Sequence, residues 1–311
     1  MKSDWKVCIV TDKWCDANPN VGLSNNYNNI IMSLSRALPS LDISLLHYDE
    51  LMLKHGKHID TVLPLVTADI FIFCFLGNSN LNPSPSTISR LSGKKIFIWP
   101  DTVWPWISNT IEGIDPYADL HVAFDGIPDR SLIPSEALSK FVGKDIQGIT
   151  PQNPDLYYPD EKIYDICFLG SRHSNRAVYV STLRNLTDYK VVVGGGQREG
   201  KLSAEEYARI VRQSKFCLNL PLSPTGKRQL KGRAIESIAS KTCLIEELPS
   251  PIENILNKDS YFGINSPEDI SKILTEATDK ITTDKVENAY QVYTNKYSPK
   301  VYWTTLLSYL N

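Results

Sequence analysis

The sequence predicts an α/β protein of two doubly wound domains, each built on a parallel sheet. Short runs rich in β-branched and aromatic residues alternate along the chain with stretches of helical period, which is typical of βαβ units. The length of 311 residues is also that of about two domains. Residues 148–160 hold three prolines and show no periodicity, so this stretch is the predicted linker between the two series.

The first series predicts five strands, at 6–11, 43–47, 70–76, 95–99 and 120–124. Between the first two strands, apolar residues fall at helical spacing and predict a helix over 25–38. We therefore expect residues 1–150 to form one domain with a Rossmann-like sheet.

The second series predicts five more strands, at 164–170, 190–193, 216–220, 242–245 and 261–264, with a helix in every gap. Ser203 to Glu206 form a capping box, and Ser266 to Asp269 combine a capping residue, a proline and an acidic first turn. We expect residues 151–284 to form the second domain. Residues 285–311 are predicted to be helical, divided at Pro299.

Composition excludes several classes of protein. A formal charge of -2 does not suit a general nucleic-acid coat. The six cysteines form no C-x-x-C pair, which indicates free thiols of a reducing compartment rather than disulfides or a zinc site. The start of the chain lacks a signal-peptide pattern, and the longest apolar stretch, 68–76, is less than half of the roughly 20 residues that span a membrane. We expect a cytoplasmic protein.

Positive charge is concentrated in the second domain. Residues 164–233 contain thirteen Lys or Arg and five Asp or Glu, a charge of +8 that leaves -10 for the remainder. Arg209, Arg212 and Lys215 are expected to lie on a helix face and point to solvent. Four other cations lie just past predicted strand ends, where open parallel sheets bind ligands and helix starts attract anions: Arg172, Arg176, Lys227 and Arg228.

Glycines accompany these cations at three strand ends. They lie in Gly170-Ser171-Arg172, in Gly194-Gly195-Gly196, and in the segment from Asn219 to Lys227 that contains Gly226. Glycine lets a backbone come close to a phosphate because it has no Cβ. None of these segments fits the dinucleotide fingerprint or the P-loop, which argues against a nicotinamide dehydrogenase and an ATPase. A nucleoside diphosphate fits them.

Glu236 lies on a predicted helix that begins near the basic loop, where its carboxylate could accept hydrogen bonds from a ribose diol; alternatively, it is a surface residue. The chain has no D-x-D pair, so we expect the diphosphate to be bound by cations and helix starts without a metal or other cofactor.

In the first domain, Asp101 follows a predicted strand and is our candidate for a general base, although an Asp there could equally cap a loop. Trp99 and Trp104 are candidates for contact with an acceptor, or else loop packing. His121 lies within a strand pattern and is expected to be packed, whereas His173 beside Arg172 is a candidate phosphate contact.

Four passages resemble the nucleotide-sugar domain of GT-B glycosyltransferases, of the broad glycosyltransferase family 4 kind and nearest to the spore-maturation (CgeB-like) group. Residues 154–159 resemble the linker signature G-x-D-x-x-x-F-x-P, and 164–171 resemble the first donor-domain strand, D-I-x-F-V-G. Residues 206–219 resemble E-Y-x6-S-K-x-x-L-N, and 232–240 resemble x-R-x-F-E-A-x-A-C-G. In the first half, only the loop with Gly22 and Asn25 resembles the family.

This resemblance implies two Rossmann-like domains facing across a cleft, with C-terminal helices crossing back to the first domain. It implies that Glu236 holds the ribose, that Arg172 or Arg176 and Lys227 or Arg228 face the diphosphate, and that Gly22 and Asn25 lie on the acceptor side. It also places Asn219 and Arg233 in the donor site. Family members with the full E-x7-E pattern carry a second glutamate where this chain has Arg228.

The predicted function is a metal-independent glycosyltransferase, hexosyl or pentosyl, with Lys227 and Arg228 as catalytic cations and a UDP- or GDP-sugar as co-substrate. The acceptor would be a hydroxyl of a glycan, a glycoprotein or a small molecule, and no nucleic-acid partner is expected. Two alternatives stay open: a non-catalytic protein that binds nucleotide sugars, and an enzyme that glycosylates modified DNA bases.

Overall fold

The structure, a computed structural model, describes residues 5–75, 79–100, 117–124, 144–171, 173, 175–195 and 202–310. The chain divides into two units. The first comprises Met1–Thr150 together with Tyr302–Asn311, and the second comprises Pro151–Val301. Each unit is built around its own parallel sheet.

In its described part, the first unit has six parallel strands in the order β2-β1-β3-β4-β5-β6. The strands are β1 (Lys6–Thr11), β2 (Asp42–His47), β3 (Ile70–Cys74), β4 (Lys94–Trp99), β5 (Leu120–Ala123) and β6 (Lys144–Gln147). The five predicted strands are confirmed. Sequence analysis missed β6 because this edge strand contains one apolar residue in four and so shows no strand pattern.

The described helices of the first unit are short. They are α1 (Met32–Ala37), α2 (Tyr48–His55) and α3 (Pro85–Ile88), with 3-10 segments at Cys15–Ala17, Pro19–Val21, Ile59–Thr61 and Leu63–Leu65. The helix predicted over 25–38 is a π-helical turn, Tyr27–Ile31, that continues into α1.

Aromatic side chains form much of the core of the first unit. Phe75 stacks on Trp99 with ring centroids 4.9 Å apart, and Phe97 meets Phe75 edge-on at 5.0 Å. Trp303 is also fully buried, and its indole Nε1 donates a hydrogen bond of 2.9 Å to Ser33 Oγ on α1. This contact explains why Tyr302–Asn311 group with the first unit.

The second unit has five described strands, all parallel, in the order β11-β10-β9-β7-β8. They are β7 (Tyr164–Leu169), β8 (Val191–Gly194), β9 (Ser214–Asn219), β10 (Cys243–Glu247) and β11 (Phe262–Ile264). Each predicted strand of the second series is confirmed to within about two residues. The main difference is β10, which continues past Ile245 to two glutamates.

The α-helices of the second unit are α4 (Arg176–Arg184), α5 (Ala204–Arg212), α6 (Gly232–Ala239), α7 (Glu268–Glu276), α8 (Asp279–Val292) and the start of α9 (Pro299–Ser308). Short 3-10 segments, Pro251–Asn254 and Lys258–Ser260, and a π-helical turn, Tyr293–Tyr297, complete it. The predicted capping box at Ser203 and Glu206 is confirmed at the start of α5, and Pro299 begins α9 as predicted.

The C-terminal boundary differs from the prediction. The predicted C-terminal segment, 285–311, is divided between the units: residues as far as Val301 group with the second unit, and Tyr302–Asn311 group with the first. Helix α8 is fixed to the second unit by polar contacts: Lys241 Nζ lies 2.6 Å from Glu287 Oε1, and Lys285 Nζ donates to the carbonyl oxygen of Lys258 at 2.8 Å.

Lys162 fixes the ends of two helices in the second unit. Its ammonium donates to the carbonyl oxygen of Arg212, the last residue of α5, and to that of Ser240, which directly follows α6. It also donates to the hydroxyl of Thr242. Burial lowers the pKa of Lys162 to about 8. A cation at a helix C-terminus is favourable, so Lys162 holds in place the helix that carries Arg233 and Glu236.

Candidate functional site

The carboxyl ends of four strands of the second unit bring polar groups together. Asn219 ends β9, and it pairs in register with Glu246 near the end of β10. Gly170 follows β7, and its N–H donates to the carbonyl oxygen of Gly194 at the end of β8 at 2.8 Å. Because all of these strands are parallel, their ends lie at one edge of the sheet, the edge where open α/β sheets bind ligands.

Arg233, the second residue of α6, extends over this edge. Its guanidinium lies 4.8 Å from the ring centroid of Phe168, and Nη1 donates to Asn219 Oδ1 at 3.3 Å. A Cβ at position 170 would overlap this guanidinium, so Gly170 is required for the approach. The Nε of Arg233 is buried without a hydrogen-bond partner among the described residues.

Arg176, the first residue of α4, is 3% exposed at the same edge. Its Nη2 donates to the carbonyl oxygens of Leu220 at 2.7 Å and Leu222 at 3.3 Å, and Nη1 donates to that of Ser171 at 3.3 Å. Burial, and then the charge of Arg233, lower the pKa of Arg176 to about 9. Carbonyl dipoles satisfy this guanidinium only in part, since its Nε is also without a partner in the described chain.

The two guanidiniums, which we call the arginine pair, form no ion pair in the described part of the chain, and their positive charge is offset only in part by the nearby carboxylates of Glu236 and Glu247. Within the described residues, neither Arg176 nor Arg233 has a carboxylate oxygen within 4.0 Å. Burial, followed by the charges of Arg176, Lys231 and Arg233, also lowers the pKa of His173 to about 4. Burial is the larger cause of this shift, but the three cations that add to it show that positive charge gathers at this edge, which favours an anionic ligand.

Glu236 lies on α6 one turn after Arg233. It is 7% exposed, and its Oε2 accepts a hydrogen bond of 2.9 Å from the hydroxyl of Tyr207 on α5. Burial raises the pKa of Glu236, while the hydroxyls of Tyr207 and Tyr157 and the charge of Arg233 oppose the rise. The predicted ribose contact is therefore beside the arginine pair, held by two tyrosines.

Lys227 and Arg228 lie on a tight turn beyond β9. The turn is closed by the N–H of Ser223, which donates to the carbonyl oxygen of Lys227 at 2.8 Å, and Gly226 adopts a φ of 81°. Lys227 is exposed. Arg228 extends to Glu247, with Nη1 3.6 Å from Oε2, so in this structure its guanidinium pairs with a carboxylate.

Sequence analysis missed a buried acidic residue beside the arginine pair. Glu246 is fully buried, and its carboxylate accepts hydrogen bonds from Asn219 Nδ2 at 2.8 and 3.0 Å and from Ser250 Oγ at 2.5 Å. Since Asn219 in turn accepts from Arg233, Glu246 orients Asn219 toward the guanidinium. The signal was available in Cys243-Leu-Ile-Glu-Glu, where two acidic residues directly continue an apolar strand pattern.

The stability of the protein should depend on the protonation of Glu246. Burial raises the pKa of this carboxyl to about 8 from an ordinary value of 4.5, so the folded protein holds a proton that the unfolded chain releases between those pH values. The free energy of unfolding is therefore expected to fall as the pH rises through this window. Glu246→Gln should flatten that fall, measured by urea unfolding at pH 5, 6, 7 and 8.

Glu205→Gln, an exposed substitution on α5, is the matched control and should keep the wild-type pH dependence. The absolute stability of Glu246→Gln is not the readout, because its amide would meet the amide of Asn219. The same slope in Glu246→Gln as in the wild type would contradict a protonated, buried Glu246.

The predicted residues of the first unit fall into three groups. Trp99 is 1% exposed and donates through Nε1 to His121 Nδ1 at 3.0 Å, so its prediction as an acceptor contact is wrong: it is a core residue. His121 is packed, as expected. Gly22 lies in a loop with a φ of 99°, and Asn25 is exposed. Asp101 and Trp104 lie outside the described residues, as do Arg172 and Gly196 of the second predicted domain.

The cysteines of the protein are unpaired, and most are buried. All six cysteines are free thiols, as predicted, and five of them are buried. Over the described ranges, no group of three or more His, Cys, Asp or Glu side chains is arranged to hold a metal ion. No helix within those ranges combines the length and apolar composition needed to cross a membrane.

A known protein family matches most of the second unit of the chain together with α9. Residues 173–308 match a family model described as glycosyl transferase-like. The match includes Arg176, Lys227, Arg233 and Glu236, and it spans less than half of the chain. No curated protein sequence is significantly similar to the chain.

Solved structures show which fold the two units form. Anabaena Alr3699/HepE, in complex with UDP and glucose, aligns over 98% of this chain and 99% of its own with a TM-score of 0.62 and 8% identity. An alpha-glucosyltransferase, in complex with UDP-glucose and DNA containing an abasic site, aligns over 98% and 99% with a TM-score of 0.63 and 10% identity.

AviGT4, a glycosyltransferase involved in avilamycin A biosynthesis, aligns over 98% of this chain and 97% of its own with a TM-score of 0.60 and 11% identity. At such identities the likeness concerns the fold. The protein has the GT-B fold, with two parallel-sheet α/β domains, as the sequence predicted.

Proposed function

We propose that the protein is a glycosyltransferase that moves a sugar from a UDP- or GDP-sugar to an acceptor hydroxyl. The observation that carries this proposal is the arginine pair: two guanidiniums without an ion-pair partner among the described residues, one buried (Arg176) and one half-buried (Arg233), at the carboxyl edge of a parallel sheet, with Arg233 against the backbone of Gly170. This arrangement suits the diphosphate of a nucleotide. The family match and the GT-B fold support the same reading.

In the proposed reaction, the bond between the anomeric carbon and the diphosphate oxygen breaks while the acceptor oxygen bonds to that carbon. The acceptor proton passes to a base, and the diphosphate departs with the bonding electrons. Negative charge thus develops on the leaving diphosphate. Arg176, Arg233 and the start of α6 would stabilise this charge because they are already oriented before the reaction begins.

The remaining site residues keep their predicted roles as proposals. Glu236 would accept hydrogen bonds from the ribose hydroxyls, and Lys227 would approach the diphosphate from its exposed turn. Gly194, Gly195 and Gly226 would let the backbone come close to the ligand. On the acceptor side, Asp101 is the proposed base, with Trp104, Gly22 and Asn25 as proposed contacts.

We further propose that catalysis needs no metal ion, since guanidiniums and helix N–H groups are able to neutralise a diphosphate on their own. The proposed group is family 4 of the glycosyltransferases, near the CgeB-like members. The free cysteines support a reducing compartment such as the cytoplasm.

A donor screen tests the proposal. Purified protein is incubated in EDTA with UDP-glucose, UDP-galactose, UDP-N-acetylglucosamine and GDP-mannose, while melting temperature and released nucleoside diphosphate are followed. One donor should raise the melting temperature, because a ligand of the folded state stabilises it, and should slowly release diphosphate. A thermal shift without any release, even with sugar and glycan acceptors, would favour the non-catalytic alternative. No shift with any donor would contradict the proposal.

A second candidate acceptor is DNA. It is favoured by one observation, the similarity of fold to an alpha-glucosyltransferase solved with DNA. The excess of positive charge lies in residues 164–233 rather than in the first unit, which argues for a small or glycan acceptor. A gel-shift experiment with duplex DNA at moderate salt separates the two: binding would favour the DNA acceptor, and its absence the hydroxyl of a glycan or small molecule.

A further inference from the structure

Glu247 is a buried carboxylate that the proposed mechanism does not use. It ends β10, and its side chain is 5% exposed. Its Oε1 accepts hydrogen bonds from Asn175 Nδ2 at 2.6 Å and from the hydroxyl of Tyr179 at 3.2 Å. Asn175 directly precedes α4 and Tyr179 lies within it, so Glu247 lies next to the helix whose first residue is Arg176.

Three polar atoms at this place have no hydrogen-bond partner within the described chain. They are Glu247 Oε2, Asn175 Oδ1 and Arg228 Nη1, and all three are buried. Arg228 Nη1 lies 3.6 Å from Glu247 Oε2, which is near enough for an ion pair but too far for a hydrogen bond. Buried polar atoms are seldom left unpaired, so this cluster is incomplete without a ligand.

The chemistry of the unpaired atoms selects the ligand. Glu247 Oε2 and Asn175 Oδ1 are acceptors, so they require a ligand that donates hydrogen bonds. An ionised phosphate donates none and would be repelled by the carboxylate. A hydroxyl donates and accepts at once, so adjacent hydroxyls of a sugar ring would satisfy both acceptors.

We infer that Glu247 and Asn175 bind hydroxyl groups of the sugar that is transferred, and that Arg228 covers them until the donor enters. This inference rests on the proposed function, because it places the donor's sugar next to its diphosphate. Arg228 can leave Glu247 by rotation of its side chain alone, because that side chain is 28% exposed to solvent. On leaving Glu247, its guanidinium would gain the diphosphate as a partner.

The test separates recognition of the sugar from recognition of the nucleotide. Calorimetric titrations measure the dissociation constants of UDP-glucose and UDP, and of GDP-mannose and GDP, for wild type and Glu247→Gln. For the pair that the wild type binds, Glu247→Gln should weaken binding of the nucleotide sugar about tenfold while leaving that of the free nucleotide within about twofold. Asn175→Ala, a second variant in case the first does not fold, should weaken it about threefold with the same selectivity.

Tyr179→Phe is the matched control. It removes a hydrogen bond to the same carboxylate, but at Oε1, so it should leave the ratio of the two dissociation constants unchanged. The inference would be overturned if, in both Glu247→Gln and Asn175→Ala, the dissociation constants of nucleotide sugar and free nucleotide changed equally or did not change. The proposed function would then remain intact. Failure of the wild type to bind either nucleotide or its sugar would overturn the proposed function and this inference with it.

Discussion

Replacing Arg233 with alanine is expected to lower sugar-transfer turnover by on the order of 100- to 1000-fold, the loss typical of removing one preorganised group that stabilises developing charge. The guanidinium of Arg233 lies against Gly170 at the carboxyl edge of the sheet, and Asn219, itself held by Glu246, orients it. The measurement is the rate of UDP or GDP release from the donor found by the screen, with kcat and KM determined separately.

Two further variants make this result specific. Arg233→Lys should recover only part of the rate, because an ammonium keeps the charge but loses the planar pair of donors. Arg209→Ala removes the same charge from the exposed side of α5 in the same unit and should leave the rate within about twofold. An unchanged rate in Arg233→Ala would remove this residue from the site.

Replacing Arg176 with methionine is expected to lower the free energy of unfolding by about 1 to 3 kcal/mol, since relief of a buried charge that Arg233 repels offsets part of the lost hydrogen bonding. The reason is that the carbonyl oxygens of Leu220, Leu222 and Ser171 all accept hydrogen bonds from this buried guanidinium and would lose them. Methionine fills a similar volume but donates no hydrogen bond. Urea unfolding without ligand measures the change.

Arg209→Met is the control for this effect, since the residue is exposed and its loss should change the free energy of unfolding by less than about 0.5 kcal/mol. A bound donor should also stabilise Arg176→Met less than it stabilises the wild type. If Arg176→Met were as stable as the wild type, the three carbonyl contacts would not fix the loops at this edge.

The fold could be predicted from sequence because its signals are local. Buried parallel strands such as β3 are continuous apolar runs, and helix starts such as Ser203 carry capping residues. What was missed depends on tertiary context. Strand β6 pairs at an edge of the sheet, where little apolar surface is required, and the grouping of α8 with the second unit depends on contacts such as Lys241 with Glu287.

The site was predictable where residues follow strand ends. Gly170, Arg176, Asn219, Arg233 and Glu236 come together because parallel strands end at one edge. Glu246 and Glu247 also directly follow a predicted strand, at 242–245, but nothing in the sequence indicates that their side chains are buried. An acidic residue usually lies at the surface, and these two are buried because other side chains supply hydrogen bonds: Ser250 from nearby in the chain, and Asn219, Asn175 and Tyr179 from distant parts of it.

The prediction that Trp99 contacts the acceptor was wrong because burial of an aromatic residue cannot be read from its position in the sequence. An aromatic residue at a strand end can equally contact a ligand or fill the core, and sequence does not distinguish these. Here its stacking on Phe75 and its hydrogen bond to His121 place it in the core. Arg228 likewise pairs with Glu247, a residue two positions past the end of the strand predicted at 242–245.

Calorimetric titration of UDP and GDP in the presence of EDTA, for the wild type and Arg233→Ala, tests most directly whether the arginine pair binds a nucleoside diphosphate without a metal ion. We predict that the wild type binds one of the two nucleotides and that Arg233→Ala binds it at least about tenfold more weakly. Binding that needs added Mg²⁺ or Mn²⁺, binding that is equal in the two proteins, or no binding at all would contradict this.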